Sequence, residues 1–209
     1  MEEHYKRMGI PAKVEMTERP GWYRSRLEIQ GNPMISVIIP NKDHTEDLDK
    51  CIRSIEEKGT YKNIEYIVIE NNSEEKETFA YYEKLQAENP KVKVVFWERE
   101  FNYSAINNYG VGFAKGEYLL FLNNDTEIIN PDCIEELLGY CMRDDVGIVG
   151  ARLYYEDDTI QHVGVIIGLG GVAGHTFVGE PKDSLGYFGR IVTAQDYSAV
   201  TAACLMTKR

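Results

Sequence analysis

Four stretches of the chain are nearly continuous runs of apolar, mostly β-branched or aromatic residues. They are MISVIIP at 34–40, IEYIVIE at 64–70, VKVVFWE at 92–98 and EYLLFL at 117–122. Each has the length of a strand, and none alternates strictly between apolar and polar residues as a half-exposed strand does. Such runs are typical of parallel strands that are covered on both faces. The pattern therefore predicts four buried β-strands.

The segments between these strands repeat apolar residues at helical spacing. Leu48, Ile52 and Ile55 recur in a segment that we expect Thr45 to cap and Gly59 to end. Three further helices are predicted, at 102–116, at 130–144, and at 74–90 with Phe79, Tyr82 and Leu85 on one apolar face. Strands that alternate with helices predict an α/β fold, a doubly wound and mostly parallel sheet flanked by helices.

Three segments depart from this alternation. Residues 1–33 carry scattered proline and glycine and predict an extension with one short helix and one short strand. Residues 168–189 are rich in glycine and predict a long loop, which at this length is usually functional or disordered. Residues 198–209 predict an apolar strand or helix with no element after it. We therefore expect the sequence to be cut from a longer domain.

The charge of the chain narrows the range of its partners. Its 23 Lys and Arg residues and 34 Asp and Glu residues give a formal net charge of −11. A chain this acidic is not expected to bind nucleic acid, because that binding depends on cations that neutralise phosphates. No apolar run reaches the length of about 20 residues that a membrane span needs. The four cysteines are scattered and form no pair that would indicate a zinc site.

Polar side chains follow three of the predicted strands at the point where each strand ends. The three clusters are Pro40–Asp43, Glu70–Ser73 and Asn123–Asp125. Asn, Asp and Ser are also common in turns and at helix N-termini, which would account for any single cluster. In a parallel sheet, however, the carboxyl ends of the strands share one edge, where ligands bind. Three clusters at one edge therefore predict a binding site.

Motifs narrow the class of ligand. The first strand is followed neither by a GxxxxGK[ST] loop nor by a GxGxxG turn, which disfavours an ATPase and a dinucleotide enzyme. A short carboxylate cluster at a strand end suits a hard divalent cation that takes its other ligands from substrate phosphates. The sequence thus predicts a pyrophosphate-linked substrate, with a metal that acts as a Lewis acid on the departing diphosphate.

From residue 33 to residue 209 the chain resembles a family 2 glycosyltransferase. The resemblance is carried by PMISVIIPNKDHTEDLDKCIRSI, YIVIENNS, YLLFLNNDTEIINPDCIEELL and SAVTAACLMTKR. The chain is most similar to the bacterial branch that builds surface polysaccharides, which includes rhamnosyltransferase-like members. This implies a GT-A fold and an inverting enzyme that uses a nucleotide-diphosphate sugar. It also implies an extension at 1–33 and a GT-A domain at 34–209, made of a Rossmann-like nucleotide-sugar-binding half at 34–130 and the start of an acceptor half at 131–209.

The resemblance implies which residues hold the donor. Asn123, Asn124 and Asp125 occupy the family's DXD motif, with Asn123 in place of the Asp that usually hydrogen-bonds the ribose. Glu70 stands where the family commonly has an Asp for the uracil or ribose. The donor-binding residues implied in this way are Pro40, Asn41, Lys42, Glu70, Asn72, Asn108, Asn123, Asn124 and Asp125.

Metal binding and catalysis follow from the same resemblance. Asp125 is the matching acidic position of the motif and is expected to ligate Mg²⁺ or Mn²⁺, with Glu127 either supporting the metal or solvated. An inverting transferase also needs a general base to take the proton of the acceptor hydroxyl. In the family this base is an Asp or Glu of a GGxDE-like segment, which the resemblance places beyond Arg209. The catalytic residue is therefore not assigned within this chain, which we expect to bind donor and metal but to turn over poorly.

Two histidines lie in the motifs TIQHVGV and GVAGH, which also resemble the family. A histidine could meet a diphosphate oxygen or respond to pH. We expect His162 to be a structural, hydrogen-bonded residue. For His175 both roles stay open, because a glycine-rich loop lets the backbone approach a ligand.

The expected function is transfer of a sugar from a UDP- or dTDP-linked donor to a glycan or lipid-linked acceptor in cell-surface polysaccharide synthesis. Two alternatives stay open, a non-catalytic nucleotide-sugar-binding module and a sugar-1-phosphate nucleotidyltransferase. The second is disfavoured because the segment PNKDHTED lacks the glycine-rich loop that such an enzyme needs. No secretory signal is visible, so a cytoplasmic protein is expected, at the inner face of the membrane when the acceptor is lipid-linked.

Overall fold

The computed structural model of the protein describes residues 1–209. Its helices are α1 (Glu2–Arg7), α2 (Thr45–Arg53), α3 (Lys76–Glu88), α4 (Tyr103–Val111) and α5 (Cys133–Cys141). Its strands are β1 (Ala12–Met16), β2 (Tyr23–Leu27), β3 (Ile35–Asn41), β4 (Ile64–Glu70), β5 (Val92–Phe96), β6 (Tyr118–Leu122), β7 (Ile148–Gly150), β8 (Leu153–Tyr154), β9 (Ile160–His162), β10 (Val165–Ile167), β11 (Ala173–His175) and β12 (Cys204–Lys208). A π-helical turn over Ser54–Lys58 continues α2, and a 3₁₀ turn covers Tyr187–Gly189. None of the helices combines the length and the apolar character that crossing a membrane requires.

The central sheet has six strands in the order β5-β4-β3-β6-β12-β7. The first four run parallel to one another, whereas β12 is antiparallel to both of its neighbours. The predicted α/β fold with a mostly parallel sheet is therefore confirmed. The four strands expected from the apolar runs are β3, β4, β5 and β6.

Both faces of the sheet are covered, which explains why the strand sequences do not alternate. The sheet has a hydrophobic core on each face, one larger than the other. In β3, Val37 packs into the larger core together with residues of α2, α3 and α5, whereas Ile38 packs with Ile106 of α4 in the smaller core on the opposite face. Fully burying an aliphatic side chain of this size stabilises the fold by about 1.5–3 kcal/mol. Gly110 brings α4 close to the sheet, since a Cβ at this position would lie 2.6 Å from Ile69 Cδ1.

Residues 1–33 contain one more strand than predicted. The expected helix is α1, but the single expected strand is half of an antiparallel hairpin in which β1 pairs with β2. The hairpin contacts α5 through Arg26, whose Nη1 lies 2.6 Å from Asp132 Oδ2 and 2.9 Å from Glu136 Oε1. Arg24 reaches the same two carboxylates at 3.2 and 2.9 Å. The hydrogen bond from Arg26 holds the pKa of Asp132 below its usual range.

Two local predictions about helices were wrong. Thr45 does not cap α2, because it is the first helical residue and makes no capping hydrogen bond, whereas His44 precedes it in the left-handed conformation with φ of 39°. Phe79 is 38% exposed, so it is not part of the buried face of α3. Thr78 lies on that face instead, together with Tyr82.

The second half of the chain contains more strands than its sequence indicates. The glycine-rich segment 168–189, predicted as a loop, includes β11, which pairs antiparallel with β10. Residues 198–209, for which a strand or a helix was expected, contain β12, which lies between β6 and β7 in the central sheet. Cys204 and Met206 alternate along β12 and are buried in the larger core.

Candidate functional site

β3, β4 and β6 end at the same edge of the central sheet, because they are neighbours and run parallel. Asn41 is the last residue of β3, Glu70 is the last residue of β4, and Asn123 directly follows β6. The three polar clusters therefore lie side by side, as the sequence predicts. Open α/β sheets bind their ligands at this edge.

A continuous chain of hydrogen bonds joins the three strand ends. Asn124 Nδ2 donates to Asn41 Oδ1 over 2.6 Å, and Asn41 Nδ2 donates to the hydroxyl of Tyr82 over 2.8 Å. That hydroxyl donates to Glu70 Oε2 over 3.0 Å. Burial raises the pKa of Tyr82, so its proton stays available for the carboxylate. Asn41 and Glu70 are each only 3% exposed and lie beneath the edge rather than on it.

Ser73 and Asp43 fasten the loop before α3 to the end of β3. Glu70 accepts hydrogen bonds from the backbone N–H of Ser73 over 2.6 Å and from its hydroxyl. Ser73 Oγ accepts one from the backbone N–H of Asp43 over 2.8 Å, and the Asp43 carboxylate accepts from the backbone N–H groups of Glu74 and Glu75 at 3.1 Å. Desolvation would raise the pKa of Asp43, but these backbone hydrogen bonds outweigh it and hold the pKa below its usual range. The sequence placed Asp43 in the first cluster without a role, and in the structure it organises the loop.

Lys42, Asn72 and Pro40 border this network. Lys42 is exposed, and its Nζ lies 2.9 Å from Glu74 Oε1. Asn72 is exposed in the left-handed conformation with φ of 55°, and its Nδ2 donates to the carbonyl of Arg99 over 2.8 Å. Pro40 is half-buried. An ammonium group paired with Glu74 and a side-chain amide bound to a backbone carbonyl thus lie exposed at the surface beside the buried network.

Asp125 is the exposed carboxylate at the end of β6. The loop that carries it is held by the backbone N–H of Asn123, which donates to the Ala203 carbonyl over 3.0 Å. No hydrogen bond or ion pair of the structure occupies the Asp125 carboxylate, whereas Glu127 lies 3.7 Å from Lys58 Nζ. No group of three or more His, Cys, Asp or Glu side chains is placed to hold a metal ion. A cation at Asp125 would therefore take its other ligands from phosphate oxygens and water, as Mg²⁺ commonly does.

A cleft of about 680 Å³ opens beside Asp125, over the β6, β12 and β7 side of the sheet edge. Sites for small ligands usually measure about 300–1,000 Å³. Among the predicted donor-binding residues, Asn123 and Asp125 line the cleft, whereas the others do not. The cleft is lined by Asn123, Asp125, Thr126, Glu127, Ile128, Ile129, Asn130, Cys133, Ala151, Arg152, Leu153, Tyr154, Tyr155, Gln161, His175, Val178, Thr201, Ala203 and Cys204.

Helix α4 does not bring Asn108 to the cleft or into the hydrogen-bond network. Asn108 is exposed, and the buried amide of this helix belongs to Asn107. Asn107 Nδ2 donates to the carbonyl of Tyr103 over 2.8 Å, while its Oδ1 is buried without a partner. The hydroxyl of Tyr103 donates to the Ala202 carbonyl over 3.1 Å and so ties the start of α4 to the segment before β12. Neither Asn107 nor Tyr103 was predicted to have a role, because contacts such as that between Tyr103 and Ala202 leave no local pattern in the sequence.

His162 and His175 form a contacting pair at the side of the cleft. Their Nδ1 atoms lie 3.2 Å apart, with the rings edge to face. His162 is 1% exposed, and its Nε2 lies 3.3 Å from the backbone nitrogen of Thr201. His175 is exposed and lines the cleft, and its Nδ1 lies 3.2 Å from the carbonyl oxygen of Gln161. Burial, with a smaller contribution from His175, lowers the pKa of His162 to about 4.

Comparisons with known proteins place these features in a family. Residues 36–177 match the family model described as Glycosyl transferase family 2. The whole chain is 43% identical over 210 residues to the uncharacterized protein y4gI of Sinorhizobium fredii, and covers 23% of that protein. It is 37% identical over 210 residues to the O-antigen biosynthesis protein RfbC of Myxococcus xanthus, and covers 16% of it. The chain therefore spans less than a quarter of the length of both curated relatives.

The fold is also similar to that of a solved structure, the mannosyltransferase PcManGT from Pyrobaculum calidifontis in complex with GDP-Man and Mn²⁺. The TM-score is 0.54, with 61% of this chain and 37% of that chain covered. The two sequences are 17% identical, so the similarity concerns the fold.

Proposed function

This chain belongs to glycosyltransferase family 2 and has the GT-A fold, and on this premise we propose that it binds a nucleotide-diphosphate sugar at the edge formed by β3, β4 and β6. The reaction is transfer of the sugar, with inversion, to a glycan or lipid-linked acceptor in cell-surface polysaccharide synthesis. Similarity to an O-antigen biosynthesis protein supports this direction. The observation that carries the proposal is the exposed and unpaired carboxylate of Asp125, which stands beside a cleft and a preorganised polar network.

The two sides of the sheet edge have different roles in this proposal. The nucleotide lies over the ends of β3 and β4, where Lys42 and Asn72 are exposed and can meet it. Beneath them, Asn41 and Glu70 act through the hydrogen bonds that hold the strand ends in place. Such fixed positions favour transfer, because the bound donor then needs little reorganisation to reach the reactive geometry. The transferred sugar and the acceptor hydroxyl occupy the cleft beside Asp125.

Asp125 holds the metal in this proposal, with all other ligands supplied by the diphosphate and water. The oxygen-only donor set at this loop suits Mg²⁺ or Mn²⁺. The ion supplies positive charge to the departing nucleoside diphosphate. We propose a UDP- or dTDP-sugar as donor and a cytoplasmic reaction, at the inner membrane face when the acceptor is lipid-linked. Residues 34–130 then form the donor half, residues 131–209 begin the acceptor half, and residues 1–33 are an extension.

Nucleotide binding tests the proposal. Isothermal titration calorimetry with UDP, dTDP and GDP, each with Mn²⁺ and with a chelator in its place, should detect metal-dependent binding of at least one nucleotide. Asp125→Ala should abolish the metal-dependent part, and Asn123→Asp should preserve it. Asp144→Ala removes an exposed carboxylate outside the cleft and should bind like the unaltered protein. Normal binding by Asp125→Ala, or no binding of any of the three nucleotides, would contradict the proposal.

A further inference from the structure

The positions of His162 and His175 are compatible with two arrangements of their protons. In the first, the backbone N–H of Thr201 donates to His162 Nε2, so His162 carries its proton on Nδ1 and donates it to His175 Nδ1. His175 then carries its own proton on Nε2. In the second, His175 Nδ1–H donates to the Gln161 carbonyl, and the proton of His162 sits on Nε2, directed at the Thr201 N–H. The two arrangements expose opposite chemistry at His175 Nε2, a donor in the first and an acceptor in the second.

The surroundings of the pair favour the first arrangement. The second sets two N–H groups against each other at the partly buried contact between His162 and Thr201, and leaves a backbone donor without an acceptor. An unpaired backbone N–H in such a place is among the costly defects of a folded protein. The first arrangement sets the lone pair of His175 Nδ1 against the Gln161 carbonyl oxygen, but that contact is exposed, so water screens the repulsion and can bond to either acceptor. Burial also keeps His162 neutral near pH 7, so His162 has one proton to place.

We infer that His175 presents its Nε2–H to the cleft as a hydrogen-bond donor to a lone-pair oxygen of the nucleotide-diphosphate sugar. His162, whose Nε2 accepts from the backbone N–H of Thr201, is the positioning residue that fixes this proton arrangement. This inference rests on the proposed function, since His175 lines the same cleft as Asp125. A protonated Nε2 has no free lone pair. In the neutral pair this atom therefore neither takes the proton of an acceptor hydroxyl nor ligates a metal.

The free protein tests the proton arrangement without any substitution. Long-range ¹H–¹⁵N correlation spectra of chain labelled at its four histidines distinguish a proton on Nδ1 from one on Nε2. At pH 7.5, His162 should be protonated on Nδ1 and His175 on Nε2. His162 protonated on Nε2 would overturn the inference, whether or not the chain binds a nucleotide.

Ligand titration then identifies the oxygen that His175 meets. Addition of UDP, dTDP or GDP with Mn²⁺ supplies a diphosphate, and the corresponding nucleotide sugars add sugar hydroxyls. A shift of the His175 Nε2 signal with the nucleotide alone assigns the contact to the diphosphate, and a shift with the nucleotide sugar only assigns it to the sugar. Both results support the inference. Binding that requires Asp125 but leaves the His175 signal unchanged in every titration would overturn it.

Substitutions separate the donor role from a structural one. His175→Leu should weaken binding by about tenfold for the ligand that shifts the His175 signal, the nucleotide or the nucleotide sugar, because it removes one hydrogen bond to a charged or polar oxygen. His175→Gln restores an N–H donor and should bind within about threefold of the unaltered protein. His162→Gln keeps an acceptor for the Thr201 N–H but cannot fix the ring of His175, so the His175 signal should change and binding should weaken. His4→Asn, at an exposed position on α1 outside the cleft and away from the sheet edge, is the matched control and should change neither. Equal binding by His175→Leu and His175→Gln would overturn the inference.

Discussion

Lowering the pH from 8 to 5 should destabilise this protein through His162. The unfolded chain binds a proton at this residue below its ordinary pKa of 6.5, whereas the folded chain binds it only near pH 4. Between these values the unfolded state holds more protons, so the free energy of unfolding rises with pH in this window and falls as the solution is acidified. Because one pKa unit corresponds to about 1.4 kcal/mol, the full loss from 6.5 to 4 is about 3 kcal/mol, of which about 2 kcal/mol is reached at pH 5.

The pH window from 6.5 to 4 separates His162 from the carboxylates whose pKa values are lowered in the folded protein. Asp43 and Asp132 have pKa values below the ordinary 3.8, so their contributions are present above that value and are lost only in more acidic solution. The burial of His162, which is 1% exposed, is the main cause of its lowered pKa. A loss of stability between pH 6.5 and pH 5 that is absent from His162→Gln is therefore attributed to this imidazole.

Urea unfolding at pH 8, 6.5, 5.5 and 5 measures the effect. The unaltered protein should lose about 2 kcal/mol between the first and last of these values, whereas His162→Gln, which cannot be charged, should lose much less. His44→Asn replaces an exposed histidine in the left-handed conformation by a residue that tolerates it, and should follow the unaltered protein. Parallel pH profiles for the unaltered protein and His162→Gln would refute the reasoning.

Three further predictions concern packing and the polar contacts. Gly110→Ala should lower the free energy of unfolding, measured by urea titration, by about 1–3 kcal/mol, because its Cβ would overlap core atoms. The control Gly147→Ala, whose Cβ would have nothing within 4 Å, should change it by less than about 0.5 kcal/mol. Equal effects of the two substitutions would contradict the close approach of α4 to the sheet. Tyr82→Phe should lower the free energy of unfolding in urea by about 1–2 kcal/mol, because it removes the hydroxyl that joins the ends of β3 and β4. An unchanged free energy of unfolding would show that this link contributes nothing to stability. A double-mutant cycle of Arg26→Ala and Asp132→Ala, measured on the free energy of unfolding, should give a coupling energy of only about 0.5–1 kcal/mol, because both side chains are about one-third exposed to solvent. Strictly additive effects of the two substitutions would mean that the ion pair does not hold the hairpin.

The elements of the fold that were predicted correctly are those that leave a pattern within a few neighbouring residues of the sequence. Residues such as Val37 and Ile38 are buried on opposite faces of one strand, which leaves a continuous apolar run in the sequence. Pairing between distant segments leaves no such trace. Nothing near Cys204 indicates that its strand lies antiparallel beside β6. The N-terminal hairpin was missed in part for the same reason, since Ala12–Met16 is mostly exposed and lacks a buried face.

The candidate site shows the same division. The prediction that the three strand ends lie at one edge of the sheet was correct, because the carboxyl ends of parallel strands point in the same direction. The sequence did not reveal that the oxygens of Glu70 accept hydrogen bonds from Ser73 and Tyr82, since Tyr82 has the helical spacing of a simple core residue. The sequence also did not show which of the two carboxylates has a partner: Glu127 lies near Lys58, whereas the Asp125 carboxylate has none. The assignment of individual residues to the donor stays a prediction until binding is measured.

The position of β12 has a consequence for synthesis on the ribosome. β7 joins the central sheet only through β12, which pairs on its other side with β6. While the chain between Ile148 and Cys204 is being made, β6 therefore presents an unpaired edge and β7 has no partner. Unpaired edges of this kind are templates for association between chains, and distant pairings form slowly. We expect the nascent chain to be most prone to aggregation during that interval, and less prone once the segment Cys204–Lys208 has emerged and paired with β6 and β7.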